Sequence, residues 1–172
     1  MRKIFLLVMV LNFIMASGCS FSFSRSLDFT YQQISHMNRV YETNLQLIGS
    51  IDELEIYKTQ MIEDYIVQMR LVFGDEFIWR GPTNRFLDTL GAYAEDFFEE
   101  NYLVLISHPE GSSSVGHSVE SVRQNGEIKI SRTIPGIRTN DSVAWLFIIE
   151  LSKDNIPEEF TVNFVTRQER RN

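Results

Sequence analysis

The sequence predicts an α+β fold: a mainly antiparallel sheet or partial barrel with two helices packed against it. Three observations carry that expectation. Strand-like segments come first, then a long amphipathic helix pattern and a shorter one, then strands again. Asn125-Gly126 lies between two strand-like runs, residues 117–124 and 127–133, where a hairpin turn belongs. Residues 143–151 are apolar on both faces, Trp145, Phe147 and Ile149 alternating with Ala144, Leu146 and Ile148, as suits a strand buried on both sides.

Taken in order, residues 29–34 and 44–48 predict the first two strands. Ser50-Ile51-Asp52-Glu53 is a capping box, in which the Ser oxygen accepts an orphan amide and the Glu reaches back. A helix should begin at Ile51, with Leu54, Tyr57, Met61, Tyr65 and Met69 as its core stripe and Ile62 and Ile66 beside it. Its other face is acidic, which argues against a helix lying on a membrane. Gly81-Pro82-Thr83 interrupts the chain, and a shorter helix is expected over residues 84–94. Residues 102–106 predict a buried strand and residues 111–116 a flexible Gly/Ser loop. Asn-Gly favours a type I′ turn, which needs positive φ at both positions. Residues 161–165 close the sheet, and residues 166–172 read as a frayed polar tail.

The N-terminus predicts export. Arg2-Lys3 precedes residues 4–15, which hold eleven apolar residues and Asn12, and then Ala16-Ser17-Gly18-Cys19. As a helix this apolar stretch rises only ~18 Å, short of a ~30 Å bilayer core, so it reads as a signal core. Cys19 is the only cysteine, whereas exported chains generally carry cysteines as pairs. The expected organisation is a signal over 1–18, lipidated Cys19 and a Ser-rich tether over 19–27, one domain over 28–166 and a tail over 167–172. Unlipidated secretion after Ala16-Ser17-Gly18 is the plainer alternative. Cleavage would remove two cations and no acid, taking the net charge from −7 to −9. So acidic a domain is a poor partner for nucleic acid.

Two resemblances add to this. Ala16-Ser17-Gly18-Cys19 resembles the lipobox of bacterial lipoproteins, although that family usually has Leu where this chain has Ala16. The resemblance implies acylation, with palmitate among the chains, and attachment to the cell membrane or outer membrane through Cys19. Asp96-Phe97-Phe98, Tyr102-Leu103-Val104-Leu105, His117-Ser118-Val119-Glu120-Ser121-Val122, Arg132-Thr133-Ile134-Pro135-Gly136, Thr139-Asn140-Asp141 and Trp145 with Ile148-Ile149-Glu150 are similar, in order, to the PrcB-like family of exported bacterial proteins. That family is named after a subunit of a surface protease complex. It often carries Thr-Gly-Gly-Tyr where this chain has Ser113-Ser114-Val115-Gly116-His117, so nothing that motif does transfers.

No catalytic constellation emerges. The 111–117 loop offers serines and a histidine but lacks nucleophile-elbow spacing. His108, Glu110 and His117 could converge on a metal only if that loop folds back, and no metal or cofactor is expected. His36 reads as structural, and the adjacent acid pairs read as a solvated surface. Asp141 is expected to cap its turn or to pair with Arg138 or Arg132. The hairpin's outer ends should bring the 111–117 loop beside residues 134–141, giving a partner-binding rim of Ser113, His117, Arg138 and Asp141. The expected function is a membrane-anchored, non-catalytic binding or accessory module of the cell envelope. The alternatives are a subunit or regulator of an exported protease, and a hydrolase using Ser112, Ser113, Ser114 and His117.

Overall fold

The computed structural model describes residues 24–36, 38–77 and 85–168. The expected signal, Cys19, the Gly81-Pro82-Thr83 break and residues 169–172 lie outside them. The elements run β1 (Phe29–Ser35), β2 (Asn44–Ile48), α1 (Ile51–Phe73), α2 (Arg85–Leu90), α3 (Phe97–Glu100), β3 (Asn101–Glu110), β4 (Gly116–Val122), β5 (Glu127–Ile134), β6 (Val143–Ser152) and β7 (Thr161–Gln168). The expected α+β class is present, as two open sheets rather than a partial barrel. The first is antiparallel in the order β1-β6-β3-β2; the second has the order β4-β5-β7, with β7 parallel to β5.

β6 is central because it is apolar on both faces. On one face Leu146 and Ile148, with Leu103 and Leu105 of β3, pack against Leu54 and Tyr57 of α1 and Phe86 and Leu90 of α2. On the other, Phe147, Ile149 and Leu151, with Val104 and Ile106, meet Val119, Val122, Ile128 and Ile130 of the second sheet. The alternating register of a strand thus feeds two cores, and the layers are helices, four-stranded sheet, three-stranded sheet.

The capping box forms with one change of partner. Ser50 Oγ accepts from the Glu53 amide at 3.2 Å, but Glu53 Oε2 accepts from the Gly49 amide at 2.6 Å, one residue before the N-cap. The predicted core stripe holds only at the start of α1. Leu54 and Tyr57 are buried and Met61 packs at the margin of the core, whereas Ile62, Tyr65, Ile66 and Met69 are only half-buried and outside it. The helix outruns the sheet beneath it.

Four further expectations need correction. The second helix ends at Leu90, and a third, α3, begins at Phe97, capped by Asp96 accepting from the Phe97 amide at 2.9 Å. The Asn125-Gly126 turn is not type I′, since among the described residues no non-glycine has positive φ. Instead the Gly126 amide donates to Arg123 O at 2.8 Å and Gly126 follows at φ 81°, the pattern of a turn ending in a left-handed glycine bulge. Residues 166–168 belong to β7 rather than to a frayed tail. The domain begins before residue 28: the Leu27 amide donates to Val122 O and the Gln124 amide to Arg25 O. The Asn125 amide donates to Ser24 Oγ at 3.1 Å. Residues 24–27 are therefore docked along the β4 end of the hairpin, not free tether.

Candidate functional site

The outer end of the β4–β5 hairpin brings the two predicted loops together. Ser112 Oγ lies 2.8 Å from both Ser114 Oγ and Thr139 Oγ1, and Ser113 Oγ lies 3.3 Å from Thr139 Oγ1. The Thr139 amide donates to Ser114 Oγ at 3.3 Å, and the Ser113 amide donates to Asp141 Oδ1 at 3.1 Å. Short hydroxyl side chains are what such a junction needs, because each can both donate and accept across a narrow gap. Gly-rich composition alone had suggested a flexible loop; the hydrogen bonds make it one half of a paired structure.

Asp141 caps the 111–115 loop rather than pairing with Arg138 or Arg132. Hydrogen bonds from the Ser113 and Thr139 side chains and the Ser113 amide hold its carboxyl down at about 2. Of the four rim residues, Ser113 and Asp141 meet, and Arg138 is exposed on the same segment. His117 is the exception, for its side chain is fully enclosed and points between the sheets.

Beneath the loops lies a polar cluster at the margin of the inter-sheet core. β3 continues through His108, Pro109 and Glu110, past the expected end of the strand, and places His108 and Glu110 on the face toward β4 and β5. Glu110, 3 % exposed at its side chain, takes both Arg132 Nε and Nη2 at 2.6 Å and the Gly111 amide at 2.8 Å. Burial pushes the Glu110 carboxyl up, but these donors outweigh it and leave it below its ordinary value. His117 Nε2 is 3.3 Å from Glu110 Oε2, close but outside hydrogen-bond alignment, and neither ring nitrogen has an aligned partner. His108 stacks on Phe164 with ring centroids 3.9 Å apart and bonds Thr43 Oγ1 through Nδ1 at 2.8 Å. Burial pushes the rings of His108 and His117 toward the neutral form, His108 to about 4.

The arrangement limits the chemistry. One ligand atom each from His108, Glu110 and His117 lies within 4.8 Å of the others, and both imidazoles favour the neutral form that binds metals. The carboxylate, however, already has both oxygens engaged by Arg132, and a dication would compete with a guanidinium held bidentately. The geometry fits a buried Arg132–Glu110 ion pair tying β5 to β3, with the neutral His117 ring of β4 packed beside it, better than a metal centre. It also gives the serines no base: Ser112 and Ser113 bond Thr139, while His117 faces Glu110. Comparison with protein-family models, with curated proteins and with solved structures finds no match to this chain.

Proposed function

We propose that this chain is an exported lipoprotein, acylated at Cys19, whose domain is a non-catalytic binding or accessory module displayed from the membrane surface. The observation that supports it is the placement of the two ends of the β4–β5 hairpin. Ser24, five residues after Cys19, bonds Asn125 at the turn end; the Ser113–Asp141 junction lies at the other end. Seven strand residues separate the two ends, ~23 Å at ~3.3 Å per residue. An anchor at Cys19 would hold the turn end near the bilayer and point the paired loops outward. No helix among the described residues is long and apolar enough to cross a membrane. The partner would be another envelope protein; an exported protease, suggested by the PrcB-like resemblance alone, is the second reading.

Fractionation tests the anchor. Cys19→Ser should move the protein from the membrane to the soluble exported fraction and abolish incorporation of labelled palmitate. A variant that stays membrane-bound, beside a wild type that takes up no lipid, overturns the proposal. Photo-crosslinking from Arg138 in intact cells reads the display end: it should capture an envelope protein, and a crosslink to phospholipid instead would reverse the orientation.

A further inference from the structure

The two sheets end in four edge strands, β1, β2, β4 and β7, and β7 differs from the other three. β4 has a register shift between Val119 and Ser121 and has residues 24–27 bound at its end. β2 is only five residues long, and β1 begins where the chain crosses from β4 to the first sheet. β7 is open along its whole length: eight residues without proline or glycine, in unbroken register with β5. Such an edge is a template for a further strand.

The pairing with β5 fixes which backbone groups of β7 are free. The Thr161 amide donates to Gly126 O at 3.0 Å. In a parallel pair alternate residues direct both N–H and C=O to the same neighbour, so Thr161, Asn163, Val165 and Arg167 bond β5. Val162, Phe164, Thr166 and Gln168 therefore turn theirs to the open edge, where no described residue pairs them. The side chains alternate between the two faces of the sheet. Val162 and Phe164 pack on the inter-sheet core. On the outer face Asn163 bonds Glu127, Arg167 pairs with Glu120, and Val165 between them is 36 % exposed.

This strand is complementary to a second copy of itself. An antiparallel pair of β7 strands centred on Val165 sets Val162 opposite the second copy's Gln168, and Phe164 opposite its Thr166. All four outward-facing residues then meet outward-facing residues, so N–H and C=O pair along the whole overlap. A slip of one residue would set outward-facing groups against inward-facing ones, and a slip of two would leave one outward-facing residue unmatched. Val165 meets its counterpart at the two-fold axis, in a pair without mutual hydrogen bonds, where side chains lie closest. Asn163 stands opposite the second copy's Arg167. Arg167 is the only charged residue between Val162 and Gln168, so no like charges oppose. We propose that β7 joins the β7 of a second copy, giving a two-fold dimer with one continuous sheet of three strands from each chain. An overlap of residues 162–168 buries less than the ~800 Å² per partner of a standard interface, so the dimer dissociates on dilution.

Analytical ultracentrifugation of the full-length chain should show a monomer–dimer equilibrium. Thr166→Pro removes an outward amide and puts a ring into the edge while leaving the β5 ladder whole. It should raise the dissociation constant about tenfold or more with melting unchanged. If that variant melts early, Val165→Lys should weaken the dimer as much, because it sets two ammonium groups face to face on the axis. Cysteine crosslinking reads the register. In a Cys19→Ser chain, Val165→Cys should oxidise to a disulfide-linked dimer, and Leu47→Cys, similarly exposed on the β2 edge, should not. A chain that stays monomeric at millimolar concentration overturns the proposal, as does association that survives both Thr166→Pro and Val165→Lys. Equal crosslinking from Leu47→Cys and Val165→Cys overturns the choice of β7. None of these measurements depends on acylation of Cys19.

Discussion

The backbone amide of Ser113 donates to the carboxylate of Asp141 at 3.1 Å, joining two segments 28 residues apart across the open end of the β4–β5 hairpin. Asp141 is solvent-exposed, so the bond owes its persistence to the hydroxyls around it rather than to a dry environment.

That contact has a pH signature. The Asp141 carboxyl sits at about 2, held down chiefly by the hydrogen bond from the Ser113 side chain, then by those from Thr139 and the Ser113 amide. A carboxyl depressed on folding stabilises the native state above its unfolded value of about 3.9. That contribution is lost as pH falls through the folded value. Carboxyl NMR should find Asp141 titrating well below the usual carboxylate range. In Asp141→Asn, hydrogen exchange at Ser113 and Thr139 should accelerate, with the rest of the sheet unchanged. Unchanged exchange at those two amides would show that the loops stay paired without the carboxylate.

The Arg132–Glu110–His117 cluster predicts a steeper response in mild acid. His108 and His117 are both depressed by burial, His108 from 6.5 to about 4. A histidine depressed on folding stabilises the native state above its unfolded value, and that stability declines as pH drops from about 6.5 toward the folded value. The melting temperature should therefore fall between pH 6.5 and 4. His108→Gln, which keeps a partner for Thr43, should flatten the slope. Glu110→Ala should destabilise by about 3 kcal/mol at neutral pH, since it strands a guanidinium whose side chain is three-quarters buried. Zinc should raise the melting temperature of neither wild type nor variant, because Arg132 occupies the carboxylate; a rise in the wild type alone would reinstate a metal site.

Gly126 is the position where the hairpin depends on glycine. Its φ is 81°, and a Cβ there would stand 1.7 Å from Glu159 O. Asn125 has no such demand, because its φ is not positive. Gly126→Ala should cost at least ~2 kcal/mol from strain and the backbone clash. Asn125→Ala should cost ~1 kcal/mol, for its lost bonds to Ser24 and the Glu127 amide. Equal losses at both positions would restore the type I′ reading of the turn.

Much of this architecture was legible because period and capping chemistry are local. β2 runs over the predicted residues, α1 starts at the predicted Ile51, and β6 has the two apolar faces its alternation implied. What could not be read depends on distant partners. Tyr65 and Met69 continue the stripe of Leu54 and Tyr57, but the sheet ends before they reach it. His117 was placed on the rim because it borders a polar loop; β4 begins at Gly116, and the alternation of a strand turns the next side chain inward. Extending the β4 alternation back from Val119 would have shown this.

The N-terminal boundary gives the last prediction. The composition of residues 24–27 suits a Ser-rich tether, yet the Leu27 amide donates to Val122 O at 2.8 Å and the Gln124 amide to Arg25 O at 3.0 Å. Ser24 Oγ bonds both the amide and the Oδ1 of Asn125, and Leu27 packs on the inter-sheet core. A domain starting at Asp28 loses these bonds and uncovers Val122, which is fully buried. With ~1 kcal/mol for each lost hydrogen bond and ~1–2 kcal/mol for the apolar surface exposed, the truncation should cost several kcal/mol. A domain starting at Ser24 should melt like the full-length chain. If both truncations melt alike, residues 24–27 are tether after all. If only the shorter one is destabilised, the folded domain begins at Ser24 rather than at Asp28, and residues 24–27 belong to the hairpin's turn end.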